Sequence, residues 1–195
     1  MVNCDNIERM RTFIAIEVPS DVVSALAALQ EDLRSTRADI AWINSDNIHL
    51  TLKFLGEVDK QLCTEIQQAC LETASKFSPF KLSLNGTGVF PNVRHPRVLW
   101  VGLAGETGIL GQLQEEIDQR LADFGFEPEE KDFRPHLTIG RIKSNRNVSE
   151  LIGRAEGYSL PNLSFHVREI LLMKSDLHPE GASYSELAKM RMIDK

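Results

Sequence analysis

The sequence predicts an α+β fold built from two similar halves of the chain. In each half the apolar pattern indicates, in order, a strand, a helix, a strand with a His-x-Thr motif, a helix and a further strand. The first strand begins 36 residues before the motif histidine in one half, Phe13 to His49, and 38 before it in the other, Val98 to His136. Duplication is the economical explanation, and it predicts pseudo-twofold packing that brings the two histidines together.

Length and composition predict one domain over residues 1–195. Its halves are expected at about 11–90 and 97–174, with a C-terminal strand at 182–190. The 195 residues, 42% of them hydrophobic, suffice for a substantial core. The net charge of -6 argues against tight non-specific binding to nucleic acid, but a few local cations could still hold an anionic ligand or a nucleic-acid end.

We expect a cytoplasmic monomer without a cofactor. The three cysteines, Cys4, Cys63 and Cys70, have no metal-ligand spacing and indicate a reduced compartment. Residues 1–11 contain no apolar segment typical of a signal peptide, and no apolar run approaches the roughly 18 residues of a membrane span. Neither export nor membrane insertion is therefore expected.

The first half alternates β-rich and amphipathic helical segments. Pro19 closes the first strand, and Gly56 is the expected end of the motif strand. The predicted elements are a strand at 12–18, a helix at 20–33, a short extended segment at 41–43, the motif strand at 48–55, a helix at 59–76, a strand at 80–84 and a turn or loop at 85–88.

The second half repeats this order after a basic loop at 94–97. An acidic loop at 127–132 precedes its motif strand. The predicted elements are a strand at 98–103, a helix at 107–124, the motif strand at 136–142, a short helix at 148–155, one long strand at 163–173 and a final strand at 184–190.

The two motifs carry the chemistry. His49 and Thr51, and likewise His136 and Thr138, are two residues apart in a strand, so each pair lies on one face. Two facing histidines can hold one neutral and one protonated ring near neutral pH, which suits in-line displacement at phosphorus by a general base and a general acid. The threonine hydroxyls would donate to phosphoryl oxygens, and no metal is needed.

The motifs and their flanks resemble a known enzyme family. The segments HLTLKFLGEV and FRPHLTIGRIK, with TFIAIEVP, PRVLWVGL and SDLHPEGASYSELAK, are similar to the two-histidine (2H) phosphoesterases. Within that superfamily they are most similar to the RNA 2′,3′-cyclic phosphodiesterases, historically called 2′–5′ RNA ligases. The resemblance spans nearly the whole chain. It implies a bilobal pseudo-twofold fold in which two antiparallel sheets form a central groove and the helices pack outside.

The resemblance also implies a reaction. A 2′,3′-cyclic phosphate on an RNA end or nucleotide is opened to a 2′-phosphomonoester without a metal. His136 is assigned as the base that activates water and His49 as the acid that protonates the O3′ leaving group, although the pseudosymmetry permits the reverse. Thr51 and Thr138 are assigned to the phosphoryl oxygens.

Three further residues are candidates for substrate binding. Phe54 and Arg141 each lie five residues after a motif histidine, and an aromatic ring and a guanidinium could stack on a nucleobase. Strict alternation puts both on the face opposite the histidines, so they reach the groove only if the strand ends or bulges. Arg134, two residues before His136, is a candidate phosphate contact.

Three other functions stay open at this point. One is a nucleotide- or RNA-end-binding module without turnover, another a phosphodiesterase for a non-RNA cyclic phosphate, and the third the reverse reaction, 2′–5′ joining of RNA ends. A metalloenzyme is disfavoured, because two histidines without a third clustered Asp, Glu or Cys make a poor ligand set.

Overall fold

The computed structural model describes residues 9–178 and 181–194, and it confirms the predicted α+β fold. The strands are β1 (Arg9–Glu17), β2 (Ile40–Trp42), β3 (His49–Asp59), β4 (Phe80–Phe90), β5 (Val98–Gly105), β6 (His136–Ile142), β7 (Ser164–Val167), β8 (Glu169–His178) and β9 (Gly181–Arg191). The helices are α1 (Ser20–Arg34), α2 (Lys60–Ala74), α3 (Thr107–Ala122) and α4 (Val148–Glu156). Within the described ranges, no helix is long and apolar enough to cross a membrane.

The two motif strands lie in different antiparallel sheets. The first sheet has the strand order β3-β1-β8-β9, and the second has the order β2-β6-β5-β4-β7. β3 is an edge strand of the first sheet, and it contacts β6 of the second. The two strands that carry the His-x-Thr motifs are therefore in contact where the sheets adjoin.

Each sheet takes strands from both halves of the chain. β4 follows the first motif but pairs with β5, and β8 follows the second motif but pairs with β1. The helices are shared in the same way, because α2 and α3 contact the first sheet whereas the Gln30 side chain of α1 donates to the Ile139 carbonyl of β6 at 2.8 Å. The bounds expected for the two halves stay a prediction, and sheet membership crosses between them.

The helices cover the face of each sheet that is turned away from the motif histidines. In β3, Leu50 and Leu52 are buried, whereas His49 and Thr51 are only half-buried. The helices bring buried residues at helical spacing, among them Leu26, Leu29 and Leu33 of α1 and Leu110, Leu113 and Ile117 of α3. Each such side chain contributes about 1.5–3 kcal/mol on burial, so packing fixes which face of each strand stays polar.

The single strand predicted at 163–173 is wrong, because the chain changes sheets within it. β7 pairs with β4 in the second sheet, β8 pairs with β1 in the first, and Arg168 lies between them. Both strands bury apolar residues, Phe165 and Val167 in β7 and Ile170 in β8. The apolar pattern therefore continues across the break and does not reveal it.

Glycines predicted to end strands lie within them instead. β3 continues past Gly56, which has φ +71° and pairs with Thr12 next to an irregularity. Residues 85–88, predicted as a turn or loop, belong to β4, whose pairing shifts between Leu84 and Thr87. Both predictions were wrong because glycine serves a turn and a bulged strand equally well.

Candidate active site

The same local hydrogen bond holds each motif histidine. The Nδ1 atom of His49 lies 2.8 Å from the carbonyl oxygen of Asn47, and that of His136 lies 2.7 Å from the carbonyl oxygen of Arg134. Because a carbonyl oxygen only accepts, Nδ1 must carry the hydrogen in both rings. Nε2 is therefore the nitrogen left to exchange a proton with a ligand.

A β-bulge follows each motif at the same position. The fourth residue of the first motif, Leu52, has no partner on β1, and the fourth residue of the second, Ile139, has none on β5. In each strand two consecutive residues therefore face the core, and the alternation of faces is reversed beyond them. The pseudo-twofold likeness of the copies extends to this irregularity.

The bulges bring Phe54 and Arg141 to the face of the histidines. Lys53 is buried beside Leu52, whereas Phe54 is 60% exposed and its ring centroid lies 6.0 Å from that of Phe13, which stacks on His49. Arg141 is likewise exposed between two buried neighbours. Strict alternation would have placed both residues in the core. The bulge in each strand reverses the alternation and turns them to the histidines' side.

Aromatic rings enclose the imidazole of His49. The ring of Phe13 stacks on it with centroids 4.7 Å apart, and Tyr184 of β9 meets it edge-on at 5.1 Å. This burial lowers the pKa of His49, and the hydrogen bond with the Asn47 carbonyl opposes the shift. In the ligand-free protein, His49 is thus biased towards its neutral form.

His136 has aromatic neighbours of a different arrangement. Phe90, at the end of β4, meets its ring edge-on at 4.9 Å, and Trp100 of β5 lies 6.4 Å away. The Trp100 indole lies against Gly88, where the Cβ atom of any other residue would overlap it. Glycine at this position is therefore required for the indole to lie beside His136.

The polar groups of the remaining predicted site residues are not engaged by other described side chains. Thr51 and Thr138 are half-buried, and their hydroxyls make no hydrogen bond within the described part of the chain. Arg134 and Arg141 form no ion pair with any described residue. Two hydroxyls and two guanidinium groups are therefore available to an anionic ligand.

Sequence reasoning missed a buried ion pair beside the first bulge. The Lys53 ammonium group binds the Asp118 carboxylate of α3 and donates to the Glu127 carbonyl at 2.8 Å, while the same carboxylate accepts from the Glu129 backbone N–H at 2.8 Å. The pair thereby joins β3 to the loop that leads towards His136. No signal in the sequence reveals it, because a lysine in an alternating strand is normally exposed.

Sequence reasoning also missed the aromatic shell around the histidines. Phe13, Tyr184, Phe90 and Trp100 were not singled out as site residues. Their positions depend on pairing with strands distant in sequence, which local spacing does not reveal. Among the residues described, no three His, Cys, Asp or Glu side chains cluster as a metal site.

Comparison with known proteins identifies the family. A model of the 2′-5′ RNA ligase superfamily matches residues 18–179. The chain belongs to this superfamily. A relative from Methanothermobacter thermautotrophicus, named RNA 2′,3′-cyclic phosphodiesterase, is 34% identical over 94% of this chain and 100% of its own length. Another of that name, from Methanocaldococcus jannaschii, is 36% identical over 90% of this chain and 96% of its own length.

Solved structures confirm the 2H phosphoesterase fold of this superfamily member. The Thermus thermophilus protein TT0787 superposes with a TM-score of 0.77 at 29% identity, over 93% of this chain and 97% of that one. Escherichia coli LigT complexed with 3′-AMP gives a TM-score of 0.73 at 25% identity, over 96% of this chain and 100% of that one. LigT has also been solved with ATP.

Proposed function

We propose that the protein hydrolyses 2′,3′-cyclic phosphates at RNA ends to 2′-phosphomonoesters by acid–base catalysis between His49 and His136. One observation carries the proposal: both rings are anchored through Nδ1 to the residue two before, on equivalent bulged strands that contact each other across the sheets. The names of the relatives support the same substrate class.

In the proposed reaction, His136 Nε2 takes a proton from water as the water oxygen attacks phosphorus. His49 Nε2 gives a proton to O3′ as the P–O3′ bond breaks, and the phosphate stays on O2′. The free hydroxyls of Thr51 and Thr138 donate to the non-bridging oxygens, where negative charge gathers in the transition state. Each turnover leaves the two imidazoles with exchanged protonation states, which solvent restores.

The bulges suit binding of the terminal nucleoside. Phe54 from one sheet offers an aromatic face, and Arg141 from the other offers a guanidinium plane, and both share the face of the histidines. A base held between them would be recognised by stacking, which tolerates any base. Arg134, adjacent to the anchor of His136, is proposed to contact the phosphate.

The acid role of His49 depends on the substrate. Burial favours its neutral form in the free protein, whereas an acid must enter the reaction protonated. A phosphate anion bound beside Nε2 favours the imidazolium. Substrate binding is therefore proposed to raise the pKa of His49, so that the ring is protonated when the reaction begins.

Product analysis tests the proposal. The substrate is an oligoribonucleotide ending in a 2′,3′-cyclic phosphate, with EDTA present, and the enzymes are the wild type, His49→Ala and His136→Ala. We expect a 2′-phosphate end from the wild type and a loss of about 10²–10⁴-fold in kcat in each variant. A folded wild type that binds the RNA without converting it would indicate a binding module, and a 3′-phosphate product would overturn the assignment of the leaving oxygen.

A further inference from the structure

Positive charge is concentrated in two segments of this acidic protein. The chain has 28 acidic and 22 basic residues, yet residues 88–105 and 133–149 contain no Asp or Glu. Six cations lie in these segments: Arg94, Arg97, Arg134, Arg141, Lys143 and Arg146. Such a local field is opposite in sign to the net charge of the whole molecule.

The fold brings four of these cations to one end of the second sheet. Val98, which starts β5, pairs with Arg141 near the end of β6, and the Ile142 N–H donates to the Arg97 carbonyl at 2.9 Å. The loop between β4 and β5 therefore lies beside the segment that follows β6. We name this exposed set the basic rim; it consists of Arg94, Arg97, Lys143 and Arg146.

The cations of the basic rim are not neutralised by carboxylates. Within the described residues none of the four forms an ion pair, although Lys143 donates its backbone N–H to the Asp39 carbonyl at 2.8 Å. Exposed cations on the helices differ, since Arg154 binds Asp32 at 2.7 Å. Unpaired, hydrated arginine and lysine side chains are those that bind phosphate by releasing counterions.

The first sheet offers no comparable surface among the residues described. Glu17 lies opposite His49 in the β1–β3 pairing, and Lys189 on β9 is bound to Glu169 and Glu186. Among the described residues of its strands, Arg11 is an exposed cation without an ion pair, and it lies opposite Glu57 in the same β1–β3 pairing. An RNA strand approaching this side would otherwise meet carboxylates or cations that already have partners. The charge distribution therefore distinguishes the two sides of the site, although their backbones are alike.

We infer that the single-stranded RNA preceding the terminal nucleotide leaves the site over the basic rim, with its phosphates on those four side chains. This rests on the proposed function. Arg141 lies at the inner border of the rim, five positions along β6 from His136, which is about 17 Å of extended strand. The rim is therefore beyond the terminal phosphate, and only a substrate longer than one nucleotide reaches it.

The experiment compares two substrates at several salt concentrations. One is adenosine 2′,3′-cyclic monophosphate, and the other is an oligoribonucleotide of about ten nucleotides with the same cyclic end. The rim variant is Arg94→Glu with Arg97→Glu. The matched control is Lys81→Glu with Arg168→Glu, which makes the same change in charge; Lys81 is exposed and lies at the opposite end of β4 from the rim.

We expect the rim variant to raise KM for the oligonucleotide about tenfold and to leave KM for the mononucleotide unchanged. The slope of log KM against log salt should fall by about 0.7 for each phosphate that the variant no longer binds. An equal effect on both substrates, no effect on the oligonucleotide, or the larger effect in the control variant would overturn the inference. A wild type inactive on both substrates would refute the proposed function instead.

Discussion

The two copies of the His-x-Thr motif share a backbone and differ in what surrounds it. Both have the Nδ1 anchor and the bulge at the fourth motif residue. The residue opposite the motif threonine is Ala15 in the first sheet and Trp100 in the second, and their neighbours on the next strand are Leu171 and Gly88. In the first sheet the small residue is next to the motif strand and the large one is a strand further away, whereas in the second sheet this order is reversed. Each histidine therefore has a different aromatic environment.

The position after the bulge shows the reason for a second difference. Lys53 is found in the first copy and Gly140 in the second. β3 is an edge strand, so α3 and the 127–129 backbone can receive the lysine side chain, whereas β2 pairs outside β6 and the Ile40 side chain fills the space over Gly140. Equivalent backbones therefore carry different residues because their outer neighbours differ.

Among substitutions at positions where the two copies differ, Lys53→Met is expected to have the largest effect on stability. The change leaves the Asp118 carboxylate buried without its partner, and we expect the free energy of unfolding to fall by about 3–5 kcal/mol. Denaturant unfolding measures it. Lys81→Met is the control, because Lys81 is exposed and makes no ion pair with a described residue, and we expect a change within about 0.5 kcal/mol.

A double variant separates loss of charge pairing from loss of packing. In Lys53→Met with Asp118→Leu no charge stays buried, so much of the lost stability should return. If the single variant unfolded like the wild type, the pair would contribute nothing to joining β3 with the loop before His136.

A smaller effect is expected at the two equivalent positions that follow the bulges, where one copy has an aromatic ring and the other a guanidinium group. Phe54→Ala and Arg141→Ala should each weaken binding of a mononucleotide cyclic phosphate by about 1–3 kcal/mol of binding free energy, since each removes one face of the proposed base site. The loss should be seen as a higher KM. Steady-state kinetics measure this, and kcat should change little. Leu71→Ala on α2 is a control for an exposed apolar side chain. A fall in kcat at constant KM would place these residues in catalysis rather than binding.

The smallest expected effect is the titration of His49. Its pKa in the folded protein is lowered by burial, so the folded state binds a proton less readily than the unfolded chain, whose histidines have a pKa of about 6.5. The resulting stability is present above that pH and is lost as the pH falls through the folded-state pKa. His49→Gln should not show this loss, and unfolding at several pH values compares the two.

NMR titration of His49, free and with a bound nucleotide 2′-phosphate, extends the same test. If His49 is the acid, its pKa should rise when the phosphate binds. A pKa that stays low in the complex would make His49 the base and His136 the acid.

Much of the architecture followed from the sequence because local patterns encode it. Strand and helix periods located most elements, and the His-x-Thr alternation placed each histidine and threonine on one face. The errors fell where a pattern has two structural meanings. Gly56 suits a strand end or an irregular strand equally, and the apolar run at 163–173 continues through a change of sheet.

The sequence by itself determined that two histidines and two threonines would be presented by strands, and it indicated the family to which the chain belongs. Only the tertiary structure decided that Phe54 and Arg141 share the histidines' face, because a bulge is defined by pairing with another strand. It also decided the aromatic neighbours of each histidine and the burial of Lys53 against Asp118. These contacts join residues far apart in the chain, where local spacing carries no information.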